Sequence, residues 1–239
     1  MTDSTKEIKV NKPLLYINNL KKIYRGRVVL DIPELILPVG RIAILGANGS
    51  GKSTLLRIIA GAVKPTAGSV RLEGMGSVAY LPQKPYIFSL SVLKSLLLAF
   101  PDELRTKAEK ADTPQALLRE VGLEGFANTP GNRLSGGESQ RLSVARMLAA
   151  PHKLLLLDEP TSAADIGGIE LVERAITRYL EKNNTSLIIS THSPSQAMRM
   201  CDRTILFENG HMIENGDTKD VLTNPKSEGG RRYMNYWRG

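Results

Sequence analysis

The segment Gly46-Ala47-Asn48-Gly49-Ser50-Gly51-Lys52-Ser53 constrains this chain more than any other stretch of it. It fits the pattern G-x-x-x-x-G-K-[ST] in the setting that gives the pattern meaning. The apolar run Arg41 to Leu45 reads as a buried strand entering the loop. Ser53 to Ala60 reads as a helix leaving it, with Leu55, Leu56 and Ile59 on one side and Gly61 placed to end it. Glycine permits backbone dihedrals that side chains forbid, so successive N–H groups can turn inward and wrap an anion. The start of the following helix adds partial positive charge at the same place. In such a loop Lys52 reaches the β- and γ-phosphates of a nucleotide and the Ser53 hydroxyl coordinates Mg²⁺. The motif implies nucleotide binding without saying what the nucleotide drives.

A second motif supplies acids. Leu154-Leu155-Leu156-Leu157-Asp158-Glu159-Pro160 is a continuous apolar run ending in two carboxylates. Such a run is expected of a parallel strand buried on both faces, and in open α/β sheets ligands gather at the C-terminal ends of the strands. Asp158 there can hold Mg²⁺ through water, and Glu159 can orient or deprotonate a water that attacks the γ-phosphate.

The rest of the chain alternates in the same manner. Leu14 to Ile17, Val28 to Ile32, Glu34 to Leu37, Ser69 to Leu72 and Ser77 to Leu81 read as strands, with Pro33, Pro38 and Gly40 as breaks. From about Pro85 to Leu148 the pattern is helical, interrupted by Pro101, Pro114, Gly122, Pro130 and Gly131. Helix Gly168 to Leu180, strand Ser186 to Ser190, helix Pro194 to Met200 and strand Arg203 to Glu208 follow. The alternation predicts an α/β sheet with layered helices and an inserted helical subdomain. A single cysteine, Cys201, forms no internal disulfide and fits a reducing compartment. Met1 to Lys12 lacks the apolar core of a leader peptide, and the apolar stretch Leu90 to Phe100 is too short to span a bilayer and carries Lys94.

Leu134-Ser135-Gly136-Gly137-Glu138, followed by Gln140-Arg141, closely resembles the signature of the ABC ATPases, in order after a Walker A loop and before the Asp–Glu pair. Its glycine turn opens a helix, Glu138 to Ala149, that Ser135 and nearby amides cap while facing an anion. The resemblance covers about residues 14 to 222. It implies a RecA-like P-loop NTPase core with an N-terminal antiparallel β subdomain and an inserted α-helical subdomain. The implied division is one ATPase domain over 14–222, the helical subdomain at 85–148, and terminal extensions at 1–13 and 223–239. It further implies that Gln83 touches Mg²⁺, that Ser162-Ala163-Ala164-Asp165 crosses a dimer interface, and that His192 hydrogen-bonds the γ-phosphate. Tyr24 is the aromatic expected to stack on adenine, with Tyr16 a competitor on spacing. Two positions depart from the family pattern: Ala164 stands where leucine is common, and Ser193 where an aspartate often follows the histidine.

The implied activity is ATP hydrolysis with Mg²⁺. ATP is bound by Tyr24, by Gly46 to Thr54, and by Ser135, Gly136, Gly137 and Glu138 of a second copy in a head-to-tail homodimer. The expected metal ligands are Ser53, Gln83 and Asp158, and the expected catalytic groups Lys52, Gln83, Glu159 and His192. Such a subunit sits peripherally on the cytoplasmic face of the membrane. It drives an integral permease, supplied with solute by a binding protein, and imports a small nutrient or an oxyanion such as tungstate. An exporter subunit is an alternative. So is an ABC ATPase acting on nucleic acid or ribosomes, which the formal net charge of +8 keeps open. The short segment between Lys52 and Arg133, without sustained heptads or cysteine pairs, argues against that reading, so no nucleic-acid partner is expected. Arg231, Arg232, Tyr233, Tyr236, Trp237 and Arg238 form a basic, aromatic tail, suited to a membrane surface, a partner or a packed helix.

Overall fold

The leucine run folds as a strand buried along its whole length, and a sheet is laid down on both sides of it. The computed structural model describes residues 13–74 and 76–238; apart from Pro13, the expected N-terminal extension lies outside the described residues. Among them the strands are β1 (Pro13–Tyr24), β2 (Arg27–Pro38), β3 (Arg41–Gly46), β4 (Ala67–Leu72), β5 (Val78–Leu81), β6 (Leu154–Asp158), β7 (Ser186–Thr191), β8 (Arg203–Glu208) and β9 (His211–Asp217). The helices are α1 (Lys52–Ile59), α2 (Val92–Leu97), α3 (Asp102–Lys110), α4 (Thr113–Glu120), α5 (Gly136–Leu148), α6 (Ile166–Asn183), α7 (Pro194–Met200), α8 (Thr218–Thr223) and α9 (Glu228–Arg238).

The larger sheet has the order β5-β6-β7-β3-β8-β9, parallel except for β9, which runs antiparallel to β8. The smaller is the antiparallel sheet β2-β1-β4. Successive strand residues point to opposite faces, and both faces are buried. Ile42, Ile44, Leu154, Leu156 and Ile188 pack toward α1 and the antiparallel sheet, against Leu15, Ile17, Leu20, Leu30, Leu55 and Leu56. Ala43, Leu45, Leu155, Leu157 and Ile189 pack toward the helices, against Leu142, Val172, Ile176 and Ala197. Val92, Leu96 and Leu118 of the helical segment join this second cluster. The α/β core, the antiparallel sheet and the helical insertion agree with the sequence reading.

Two local readings need correction, and one strand, β9, had no reading. Residues 28–37 form one strand, not two broken at Pro33. β2 is an edge strand with β1 as its neighbour, so the missing proline N–H costs no ladder bond on the open side. β1 continues well beyond Ile17 to Tyr24. β9 carries little apolar alternation and is ordered by its ladder with β8. Among the described residues no helix is long and apolar enough to cross a membrane.

Parallel register is what assembles the site. Leu45 lies beside Thr191, Asp158 beside Ser190, and Leu81 beside Leu157. The segments leaving β3, β5, β6 and β7, which carry Gly46–Thr54, Gln83, Glu159 and His192, therefore emerge along one edge of the sheet.

Candidate nucleotide-hydrolysis site

The phosphate loop adopts the backbone its glycines predict. Gly46, Gly49 and Gly51 have φ of 150°, 78° and 107°. At Gly51 a side chain would also collide, since an added Cβ would lie 2.8 Å from Val29 O and 2.7 Å from Leu30 Cδ2. Ala47, Asn48 and Gly49 are exposed at the crown; Ser50, Gly51 and Lys52 are buried, and Ser53 and Thr54 partly so. Ser50 Oγ is buried without a hydrogen-bond partner among the described residues. Lys52, only 5% exposed, donates to Gly46 O at 2.8 Å and Ala47 O at 3.0 Å, with Glu159 Oε1 at 3.9 Å. Burial pushes the Lys52 amine below its ordinary 10.5, while Glu159 and Asp158 pull the other way.

Asp158 is fully buried and receives three hydroxyls. Ser53 Oγ donates to Oδ1 at 2.9 Å, Ser190 Oγ to the same oxygen at 2.6 Å, and the Tyr80 hydroxyl to Oδ2 at 3.4 Å. Burial raises the Tyr80 phenol, against the opposing hydrogen bond to Arg57. Glu159 sits at φ 48°, an uncommon conformation for a residue with a side chain, and harder still before a proline. Such strain costs about 1–3 kcal/mol and persists only where neighbours enforce it. Here Ser190 accepts the Glu159 N–H through its carbonyl at 3.1 Å and its hydroxyl at 3.2 Å. Gln140 Nε2 donates to Glu159 O at 2.8 Å. The carboxylate is aimed in turn: Gln83 Nε2 donates to Oε2 at 2.9 Å, and His192 Nδ1 lies 3.7 Å from the same oxygen.

Ser135–Glu138 forms a capping box. Ser135 Oγ accepts from Glu138 N at 3.3 Å, and Glu138 Oε2 accepts from Ser135 N at 2.7 Å. Such a cap is worth about 1 kcal/mol to the helix it starts. The glycines after it let α5 lie against Ala163: a Cβ on Gly137 would stand 2.9 Å from Ala163 O. Gln140 accepts from Ala163 N at 3.0 Å, so one side chain joins this turn to the backbone of Glu159. Asp165 caps α6, and Ser193 caps α7 by accepting from Gln196 N at 3.3 Å. The serine after His192 is thus a helix cap. Tyr24, at the end of β1, is 44% exposed with Lys22 Nζ 4.8 Å from its ring centre, and the half-buried Tyr16 ring carries Arg71 at 4.7 Å.

The structure brings Lys52, Ser53, Asp158, Glu159, Gln83 and His192 together and holds Ser135–Glu138 on the neighbouring α5 turn. Sequence reasoning missed Ser190, Tyr80 and the bridging role of Gln140. A polar residue at the end of the apolar strand β7 was the available signal for Ser190; for the other two only the fold supplies it.

A phosphate loop and an acid pair at one edge of a parallel sheet, with an inserted helical unit, define an ATP-hydrolysing P-loop protein. The model of the ABC transporter family matches residues 35–162. The chain is 38% identical over 207 residues to the tungstate uptake system ATP-binding protein TupC of Peptoclostridium acidaminophilum, covering 83% of this chain and 96% of that protein. It is 34% identical over 228 residues to the putrescine transport ATP-binding protein PotG of Escherichia coli K12, covering 89% of this chain but 59% of that protein. An ATP-binding cassette solved as a dimer in a post-hydrolysis state with ADP and Pi matches with a TM-score of 0.73 and 26% identity, over 86% of this chain and 99% of that one. The chain belongs to the ABC transporter ATP-binding family.

Proposed function

We propose that this chain dimerises on ATP and drives solute import through a separate membrane permease, from the cytoplasmic face of the membrane. Residues 14–222 form its ATPase unit, with 85–148 as the helical subdomain. ATP stacks on Tyr24, the exposed tyrosine of β1, and is wrapped by Gly46 to Thr54. Lys52 exchanges its two carbonyl partners for phosphate oxygens. The hydroxyl of Ser53, the carboxylate of Asp158 and the amide oxygen of Gln83 form an all-oxygen set that suits a hard cation. Ser53, Asp158 and Gln83 would hold Mg²⁺ there, and the ion would supply charge that offsets the phosphates. Glu159, fixed by Gln83 and by its enforced backbone, takes the proton of the attacking water, and His192 steadies the γ-phosphate. Ser135, Gly136, Gly137 and Glu138 complete the phosphate site of the opposite copy.

The observation that carries this reading is the hydrogen bond from Gln83 to a Glu159 carboxylate that also lies 3.9 Å from Lys52. Together they aim one carboxylate at the mouth of the phosphate loop. The test is Glu159→Gln, expected to bind ATP almost normally while turnover falls by about 10²–10⁴-fold. Normal turnover overturns the role of Glu159.

The cargo we infer is an oxyanion of the tungstate type delivered by a solute-binding protein. Support comes from the identity to TupC across nearly that protein's whole length, whereas the putrescine relative is matched over little more than half. The permease contact falls at Gln83 to Phe88. Tyr86 is 72% exposed there, and Arg146 braces the segment by donating to Tyr86 O at 2.9 Å and lying 4.5 Å from the Phe88 ring. Tungstate-dependent ATPase activity in vesicles carrying the permease and binding protein tests the cargo; stimulation by putrescine instead contradicts it.

A further inference from the structure

The C-terminal aromatic residues lie on the catalytic edge. The Trp237 ring stacks on the His192 imidazole, with centroids 6.1 Å apart and planes 27° from parallel. One turn earlier on the same face of α9, Tyr233 donates its hydroxyl to His192 O at 3.0 Å. Burial pushes the Tyr233 phenol up to about 12, against the opposing hydrogen bonding of the Trp237 indole and the Gly46 amide. The phenol is therefore a neutral donor at ordinary pH, and it sits between the first residue of the phosphate loop and the backbone of His192.

The helix that presents these rings is fixed independently. Met234 is 7% exposed and belongs to the core, with Tyr233 packed beside it. Arg232 Nη2 donates to both oxygens of Glu208, at 2.8 and 3.0 Å. Glu214 accepts from the backbone of Lys226 and Ser227 just before α9, and Ser227 Oγ then accepts from Gly230 N at 2.9 Å. The His192 side chain itself is 49% exposed, and Glu159 Oε2, at 3.7 Å, is too distant for a firm hydrogen bond. A half-exposed imidazole with so loose an anchor samples several rotamers unless a packed ring limits it.

We propose that Trp237 and Tyr233 are positioning residues for ATP hydrolysis, holding the ring and backbone of His192 in register with the phosphate loop. The inference rests on the reading of His192 as the γ-phosphate contact. It adds that the residues setting that contact lie beyond the matched family segment, on the last helix.

Trp237 is the sole tryptophan of the chain, so its emission reports this contact. The experiment uses the full chain and measures steady-state ATPase kinetics and intrinsic fluorescence. Trp237→Ala is expected to lower kcat about tenfold with KM for ATP changed by less than about twofold, the pattern of an interaction realised in the transition state. Trp237→Phe, which keeps a stacking ring, is expected to restore most of that loss, and Tyr233→Phe to lower kcat less than Trp237→Ala. His192→Ala is expected to change the tryptophan emission of the folded protein. Loss of activity in His192→Ala with full activity in Trp237→Ala overturns this inference alone. Full activity in His192→Ala overturns the role of His192 and the inference with it. Faster turnover in Trp237→Ala also overturns it, since the helix is then a brake. Unchanged emission in His192→Ala shows that the rings do not stack.

Discussion

Gln83 holds one carboxylate oxygen of Glu159 at 2.9 Å. The two residues leave neighbouring strands, β5 and β6, whose register places Leu81 beside Leu157. The contact matters because Gln83 also begins the segment proposed to meet the permease. In the proposed function this side chain links ATP hydrolysis to the membrane partner.

Removing the Gln83 amide should cost turnover more than binding. Gln83→Ala is expected to lower kcat by about tenfold to a hundredfold with little change in ATP affinity. Gln83→Glu removes the donor and sets a second carboxylate against Glu159, so it is expected to lower kcat at least as much. Steady-state ATPase kinetics measures both variants, and a normal kcat in either contradicts the contact.

The two glycines that open α5 should respond differently to alanine. A Cβ at Gly136 meets only Ala163 Cβ, at 3.7 Å, an ordinary contact. Helix propensity then favours alanine by up to about 1 kcal/mol, so Gly136→Ala should be tolerated in thermal unfolding. At Gly137 the added carbon presses on Ala163 O at 2.9 Å and must move the segment between Glu159 and α6. Gly137→Ala is expected to weaken ATP-dependent dimerisation about tenfold, equivalent to ~1.4 kcal/mol. Equal behaviour of the two variants in sedimentation contradicts this packing.

Alkaline pH should destabilise the protein through buried phenols. Burial raises Tyr80, Tyr179 and Tyr233 above the ordinary 10.0, the last to about 12. The folded chain therefore keeps protons that the unfolded chain releases. This contribution is fully present below about pH 10 and is lost as pH rises from there toward 12. Phenolate absorbance at about pH 11 should be lower for the native protein than for the same protein in denaturant. Tyr233→Phe should narrow that gap. Equal absorbance in the two states contradicts the burial of these rings.

What the sequence revealed was what local spacing encodes. The phosphate loop, the acid pair after four leucines and the Leu134–Glu138 turn each carry their chemistry within a few residues, and the alternation around them gave the α/β core. Elements that depend on a distant partner were illegible. Pro33 reads as a break because the sequence does not say that β2 is an edge strand. β9 drew no reading at all, because its order comes from the ladder with β8. Ser190 lies 32 residues from Asp158, and Gln140 19 residues from Glu159, so only the sheet register and the α5 packing reveal those contacts. The tail at 231–238 offered an aromatic pattern, but its position against His192 is written in the packing of Met234 and Arg232.

The central claim is that two copies of this chain enclose ATP, each supplying Ser135–Glu138 to the other's phosphate loop. Light scattering on purified Glu159→Gln with saturating Mg-ATP tests it most directly. A dimer is expected with ATP and a monomer without it. Adding Ser135→Arg should restore the monomer while ATP still binds. An ATP-bound Glu159→Gln protein that stays monomeric, or a dimer indifferent to Ser135→Arg, contradicts the account.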